Sequence, residues 1–315
     1  MLHSYNKIGG VASSISRRAL ALSMFPYGLC AKTERRVAIT IDDIPRGGDK
    51  PSARDFASVE DMTKKLVTHL SGIPAIAFVN PGRAKEMSSE ELQRILRIWT
   101  AGGVEIGNHT NTHADIHRIS VEDYQADVLA AEPALQAARG GRRCQYFRHP
   151  YLRAGQSPEI RAKLNRFFAE QRYTVAPVTV DTADYIYAAV YSREGESVIP
   201  KYIEHLESAF AFFERRSKEV LGREIAQTLL IHANQLNADA MPEILQMLRR
   251  RNYSFVSLGK ALEDPLYRTK EDYVGKQGMS WIHRWGLAKK MEVVWEPEVP
   301  ASIMEAFTRH TGTKF

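Results

Sequence analysis

The stretch RRVAITIDDIP, residues 35–45, sets a short apolar and β-branched run, Val37 to Ile41, directly before two adjacent aspartates, Asp42 and Asp43. A run of this length and composition reads as a strand buried on both faces, the kind found in parallel sheets. The two aspartates then fall at its C-terminal end. Taken alone, adjacent aspartates after a strand read as a turn or a helix cap. Two like charges at the edge of a core nevertheless call for a reason, and the rest of the chain bears on what it is.

Six further runs resemble the first: 73–79, 103–108, 144–148, 173–180, 228–232 and 253–258. Between them lie longer stretches with helical spacing, at 53–70, 88–102, 120–138, 157–171, 200–222 and 237–252. Ser120 with Asp123, and Ser157 with Pro158, are helix start signals. Strand and helix alternating about seven times predict a parallel sheet covered by helices and closed into a barrel. The segment 264–315, with YVGKQGMSWIHRW, breaks the alternation and reads as a C-terminal extension packed on the barrel. Residues 35–263 would be the barrel and 1–34 an N-terminal arm.

In such barrels the working residues sit on the loops that leave the C-terminal ends of the strands. Here those ends carry Asp42 and Asp43, then His109 and His113, then Arg148, then Asp181 and Asp184, then His232. The His-x-x-x-His spacing suits two imidazoles on one side of a helical turn, as a divalent metal requires. His117 extends the spacing, but the Ser120 start signal leaves it in the loop before the next helix, in a surface or supporting role. One carboxylate and two imidazoles leave coordination positions open for water and substrate, which is the pattern of a catalytic site. A second carboxylate could act as a base on the activated water, an arginine could hold it ionised, and a histidine could donate a proton to a leaving amine. These are the parts of metal-assisted amide hydrolysis.

The motifs resemble those of the polysaccharide deacetylases of carbohydrate esterase family four. TIDD (40–43) is similar to that family's T-F-D-D, HTNTH (109–113) to H-[ST]-x-x-H, RHPY (148–151) to R-x-P-[YF], DTADY (181–185) to D-x-x-D-W, and LIH (230–232) to L-x-H, in the family's order. The resemblance implies a deformed (β/α) barrel with a divalent metal held by Asp43, His109 and His113. Zinc comes first by ligand type, and cobalt, nickel and manganese suit the same set. It implies Asp42 as base oriented by Arg148, His232 as acid tuned by Asp184 in preference to Asp181, the Tyr151 N–H as an oxyanion donor, and Leu230 against the acetyl methyl. Ile41 replaces the family's usual aromatic, Tyr185 replaces its tryptophan on the sugar-facing wall, and Ala233 and Asn234 follow the histidine where many relatives have aspartate. Trp281 and Trp285, at helical spacing, read as packing before they read as a sugar-stacking platform.

The expected activity is removal of N-acetyl groups, or O-acetyl groups, from a cell-envelope or other polysaccharide. The alternatives are hydrolysis of another C–N amide, such as a formyl group, and an inactive glycan-binding barrel. The 315 residues are 44% hydrophobic and 25% charged, enough for a large core. The net charge of +6 is spread along the chain without a basic block, so no nucleic-acid partner is expected. No stretch reaches the roughly 20 apolar residues of a transmembrane segment. Arg17 and Arg18 precede the apolar run 19–31, which resembles a twin-arginine export signal and suggests a periplasmic or secreted protein. With two cysteines, one of them in that segment, no disulfide framework is expected.

Overall fold

The computed structural model describes residues 34–47 and 55–313. The arm and the export-signal reading therefore lie outside the described residues, apart from Glu34. All seven expected strands form: β1 (Arg35–Ile44), β2 (Ala75–Val79), β3 (Glu105–Asn108), β4 (Tyr146–Phe147), β5 (Thr174–Val175), β6 (Gln227–His232) and β7 (Tyr253–Phe255). They pair in parallel in the order β5-β4-β3-β2-β1-β6, and β7 pairs with the first three residues of β1. All six expected helices form as well: α1 (Phe56–His69), α2 (Ser89–Ala101), α3 (Val121–Ala138), α4 (Pro158–Glu170), α6 (Ile199–Leu221) and α7 (Gln235–Arg250). The start signals act as read, with Ser120 accepting from the Asp123 N–H at 3.0 Å and Ser157 capping α4 ahead of Pro158.

The fold is a deformed (β/α) barrel, and the deformation is local. Residues 173–180 pair with β4 only through Thr174 and Val175, and the last bond to β4 is from the Ala176 N–H to the Phe147 carbonyl at 2.7 Å. Past that bond the segment turns to β6. Val180 bridges Leu229, the Leu230 N–H donates to the Val180 carbonyl at 3.0 Å, and Thr179 and Thr228 exchange side-chain hydrogen bonds to each other's N–H at 3.0 and 2.7 Å. The ring is closed at this seam by hydroxyl groups as much as by backbone ladder.

Side chains alternate along each strand. Ala38, Ile76, Phe78, Tyr146 and Ala176 form a small cluster inside the barrel. Val37, Ile39, Ile41, Ala77 and Val79 join the larger cluster with the helices. By this alternation Thr40 and Asp42 share the inner face with Ala38.

Helices α5 (Asp184–Glu194), α8 (Leu258–Leu262), α9 (Trp281–Ala288) and α10 (Ala301–Thr311) complete the described residues. Helix α5 was not legible as a separate element, since Ile186, Tyr187, Ala188, Val190 and Tyr191 bury it on most sides and leave no polar face to set a period. Helix α9 packs on α6 and α10 on α5, so the C-terminal segment lies on the barrel as expected. No helix among the described residues is long and apolar enough to cross a membrane.

Phe147 is fully buried, stacked on Phe168 with centroids 4.3 Å apart and met edge-on by His149 at 5.0 Å. Phe147→Ala is expected to cost about 3–5 kcal/mol of stability, read as a lower midpoint in chemical denaturation.

Candidate active site

Strict alternation would send Asp42 and Asp43 to opposite faces of β1. The pairing of β1 with β2 slips between Ile41 and Ile44, and Asp43 takes a left-handed backbone conformation with φ 66°. This irregularity brings the second carboxylate round to the cleft that the first already faces. The turn is tight enough that a Cβ on Gly47 would lie 2.4 Å from the Asp43 Cβ, so glycine is required there.

His109 and His113 meet, but not on a helical turn as the spacing had suggested. Residues 109–113 are a loop with left-handed conformations at Thr110 (φ 64°) and His113 (φ 61°). Side chains hold it against the helical alternative. Asn108 Oδ1 accepts from the Thr110 N–H at 2.8 Å, Asp127 on α3 accepts from the Thr112 N–H at 3.0 Å, and buried Asn80 donates to the carbonyls of His109 and Thr110.

His109 Nδ1 donates to the Arg148 carbonyl at 2.8 Å, which fixes the tautomer and leaves Nε2 with its lone pair facing the carboxylates. The Nε2 atoms of His109 and His113 lie 3.7 and 3.3 Å from Asp43 Oδ1. Burial lowers both histidines below the ordinary imidazole value, His109 strongly, so both rings are neutral donors. Burial pushes the Asp43 carboxyl up, but the groups around it that are positive at the acid pH where it would titrate, His113 and Arg83 foremost, outweigh burial and hold it well below the usual carboxylate range. With the imidazoles neutral, the Arg83 guanidinium, 2.8 Å from Asp43 Oδ2, is the cation that keeps Asp43 ionised.

Asp43 Oδ1 is buried and takes no hydrogen bond, while Oδ2 is held by Arg83. An orphaned carboxylate oxygen beside two neutral imidazole nitrogens is a donor set that fits a divalent cation. The ligand atoms of Asp43, His109 and His113 all lie within 4.8 Å of one another. His117 lies outside this group; its N–H donates to Asp115 Oδ1 at 3.0 Å.

Asp42 is almost fully buried and behaves differently from its neighbour. Burial raises its carboxyl to about 6, against the pull of Arg148 and His232. Arg148, wholly buried, reaches Asp42 Oδ2 at 3.4 Å and Thr40 Oγ1 at 3.0 Å, with its guanidinium over the Phe78 ring at 4.7 Å. On β6, in register with Asp42, His232 Nδ1 donates to Asp184 Oδ1 at 2.7 Å. Burial works to lower His232, and the Asp184 charge and hydrogen bond, with Asp43 and Asp42, overturn it and raise the ring to about 10. Asp184 Oδ2 is in turn held by the His232 N–H at 2.8 Å and by the Asn237 amide at 2.5 Å. Asp181 lines the same cleft, with Oδ1 accepting from the Ala183 N–H at 3.2 Å, so Asp184 is the partner of His232.

Asp42, Asp43, His109, His113, Asp181 and His232 line one cleft of about 780 Å³ together with Leu230, Tyr151 and Tyr185, while Arg148 and Asp184 support it from outside the lining. Tyr151 and Tyr185 are its exposed aromatic wall, with Tyr151 edge-on to His113 at 4.5 Å. Trp281 and Trp285 are buried in packing, Trp281 beneath the Arg284 guanidinium at 4.0 Å and Trp285 against Tyr267. Sequence reading missed Arg83, Arg153, His149 and Gly278, which also line the cleft. Arg83 follows β2 closely, so the same rule that found the other rim residues reaches it. Gly278 carries no local signal.

The family model for polysaccharide deacetylase matches residues 31–167, which hold the first three motifs. A peptidoglycan N-acetylglucosamine deacetylase of Listeria monocytogenes is 23% identical over 273 residues, covering 86% of this chain and 47% of that protein. The chain spans about half the length of the curated relatives it matches. Among solved structures, a CE4 family pseudoenzyme from Bacillus anthracis is 15% identical over 73% of this chain and 66% of that one, at a TM-score of 0.50. A mutant of it with restored enzymatic activity is 18% identical over 73% and 68%, also at 0.50. At such identity the structures show a shared fold. The resemblance carried by the motifs is borne out: over residues 31–167 the chain is similar to the polysaccharide deacetylases, and it shares their fold.

The Asp184 charge and hydrogen bond are the largest influences that hold the His232 ring protonated against burial. Asp184→Asn is therefore expected to lower the His232 pKa well below about 10, with only Asp43 and Asp42 left to oppose burial, followed by NMR titration of the metal-free protein; an unmoved ring would break the pairing.

Proposed function

We propose that this chain is a metal-dependent hydrolase that removes N-acetyl groups from an amino-sugar glycan. The observation that carries the reading is the convergence in one cleft of an orphaned Asp43 oxygen and two neutral imidazoles with two further titratable groups, Asp42 and His232, both raised from their ordinary values. Asp43, His109 and His113 would hold a divalent cation, zinc by ligand type, and when bound it supplies Lewis acidity to water and to the amide carbonyl.

The residues then divide the proton chemistry between them. Asp42 takes the proton of the attacking water; its raised pKa makes it a better base than an exposed carboxylate, and Arg148 keeps it ionised and aimed. His232, kept protonated by Asp184, donates to the leaving amine. The Tyr151 N–H donates to the carbonyl oxygen as negative charge grows on it, and Leu230 bounds the space for the methyl group. The Listeria relative is a peptidoglycan N-acetylglucosamine deacetylase, which supports a cell-envelope glycan and a site of action outside the cytoplasm.

Acetate release from N-acetylglucosamine oligomers, peptidoglycan fragments and acetylxylan tests this directly. Chelator-stripped protein is expected to be inactive, and zinc or cobalt to restore release. Asp42→Asn should lower turnover about 10²–10⁴-fold while metal binding persists, whereas His109→Ala should lose both. Release that needs no metal, or a fully active Asp42→Asn, refutes the reading. The pH profile should be bell-shaped, since Asp42 must be ionised and His232 protonated. Its acid limb lies at or below about 6 and its alkaline limb at or below about 10, because a nearby cation lowers both groups. Asp184→Asn should bring the alkaline limb down.

A further inference from the structure

We propose that the C-terminal segment Gly278–Arg284, which carries none of the five motifs, is part of the active site, with Gly278 and Arg284 acting as positioning residues for the Tyr151–Leu152 backbone. The inference rests on the catalytic reading above, because the Tyr151 N–H is the oxyanion donor of that reading.

Tyr151 and Leu152 are consecutive non-glycine residues in left-handed conformation, with φ 56° and 53°. Each such residue costs on the order of 1–3 kcal/mol and persists only where the surroundings leave it no alternative. Local bonds are part of the restraint, since the N–H groups of Leu152 and Arg153 return to the carbonyls of His149 and Pro150 at 3.1 Å. The rest comes from a segment more than a hundred residues later. Arg284 donates through Nη2 to the Leu152 carbonyl and through Nε to the Met279 carbonyl at 3.0 Å. It is 1% exposed and sandwiched by the rings of Trp281 at 4.0 Å and Tyr273 at 5.4 Å. Gly278 runs backbone to backbone against the same turn: a Cβ there would stand 1.8 Å from the Tyr151 carbonyl oxygen and 3.2 Å from the Leu152 Cβ.

The segment is itself anchored, so it can act as a fixed frame. The Trp281 N–H donates to the Val178 carbonyl at 2.7 Å and Ser280 Oγ to the Thr179 carbonyl at 2.8 Å, both at the seam that closes the barrel. Arg161 on α4 clamps Glu271 at 2.6 Å. A buried guanidinium is a costly way to fill space, and an apolar side chain would pack as well without the desolvation penalty. Its two carbonyl bonds point to a geometric task. By its close approach to the Tyr151 carbonyl and its bond to the Leu152 carbonyl, the segment holds the two peptides that follow the Tyr151 Cα, and so keeps the left-handed turn from which the preceding peptide presents the Tyr151 N–H to the cleft.

The test compares wild type with Gly278→Ala, Arg284→Met and Arg284→Lys. Three readouts are taken: kcat and KM for acetate release with zinc bound, zinc affinity by calorimetry, and hydrogen exchange of the amides at 151–153. Displacing one oxyanion donor without removing it should lower kcat about 10- to 100-fold. KM and zinc affinity should stay within about threefold, and exchange at 151–153 should accelerate. Arg284→Lys should recover part of the kcat, because it restores one donor. Unchanged kcat and exchange in the folded variants overturn the proposal, and so does a loss of zinc affinity equal to the loss of kcat, which marks general disruption. Should Arg284→Met not fold, Gly278→Ala alone decides, since Gly278 is exposed. Wild type that releases no acetate from any substrate defeats the catalytic reading instead, and unchanged exchange in Gly278→Ala would then separately defeat the positioning role.

Discussion

Two carboxylates from adjacent residues share one buried cleft, and their mutual repulsion is the constraint on which the rest of the site depends. In a low-dielectric setting such a pair is tolerable only if positive charge is placed against it. The protein divides that task. Arg83 takes the outer oxygen of Asp43, Arg148 faces Asp42 from inside the barrel, and the His232 ring, protonated by virtue of Asp184, adds a third cation in register with Asp42. The inner oxygen of Asp43 is left without a partner beside two neutral imidazoles. The unequal arrangement separates the two carboxylates chemically: one is kept ionised, which suits the metal ligand proposed for it, and the other is raised, which suits the proposed base.

The scaffold serves this arrangement through its irregularities. A regular β1 would point its two aspartates apart, and the slip after Ile41 with the left-handed Asp43 brings them together. A helical turn would present His109 and His113 at one pitch, whereas the loop pinned by Asn80, Asn108 and Asp127 sets both Nε2 atoms on the same carboxylate oxygen. Five of the nine non-glycine residues with left-handed φ among the described residues, Asp43, Thr110, His113, Tyr151 and Leu152, lie in the cleft or in the loops that carry its lining. Strain concentrated at a site and supported by a regular core is the usual signature of preorganisation.

The fold was largely legible because it depends on composition and period. Short apolar runs separated by amphipathic stretches leave little besides a parallel sheet under helices, and Ser120 and Ser157 marked helix starts that the structure confirms. What escaped were elements without a period: α5, buried on most sides, and the shortness of β5, beyond which the barrel closes through threonine hydroxyls together with a few backbone bonds.

The sequence by itself determined the fold class and the identities of the chemical groups at the rim, since strand ends and residue types are local properties. Only the tertiary structure decided how those groups are used. The choice of Asp184 over Asp181 as the partner of His232, the entry of Arg83 beside Asp43, and the contact of Gly278 and Arg284 with the Tyr151 turn all depend on through-space distances between segments far apart in the chain. Neighbouring residues cannot encode such distances. The left-handed turn that makes two aspartates face one cleft is set in the same way, by the crowding of Gly47 and the pairing of β1 with its neighbours, and not by the pair Asp42–Asp43 itself.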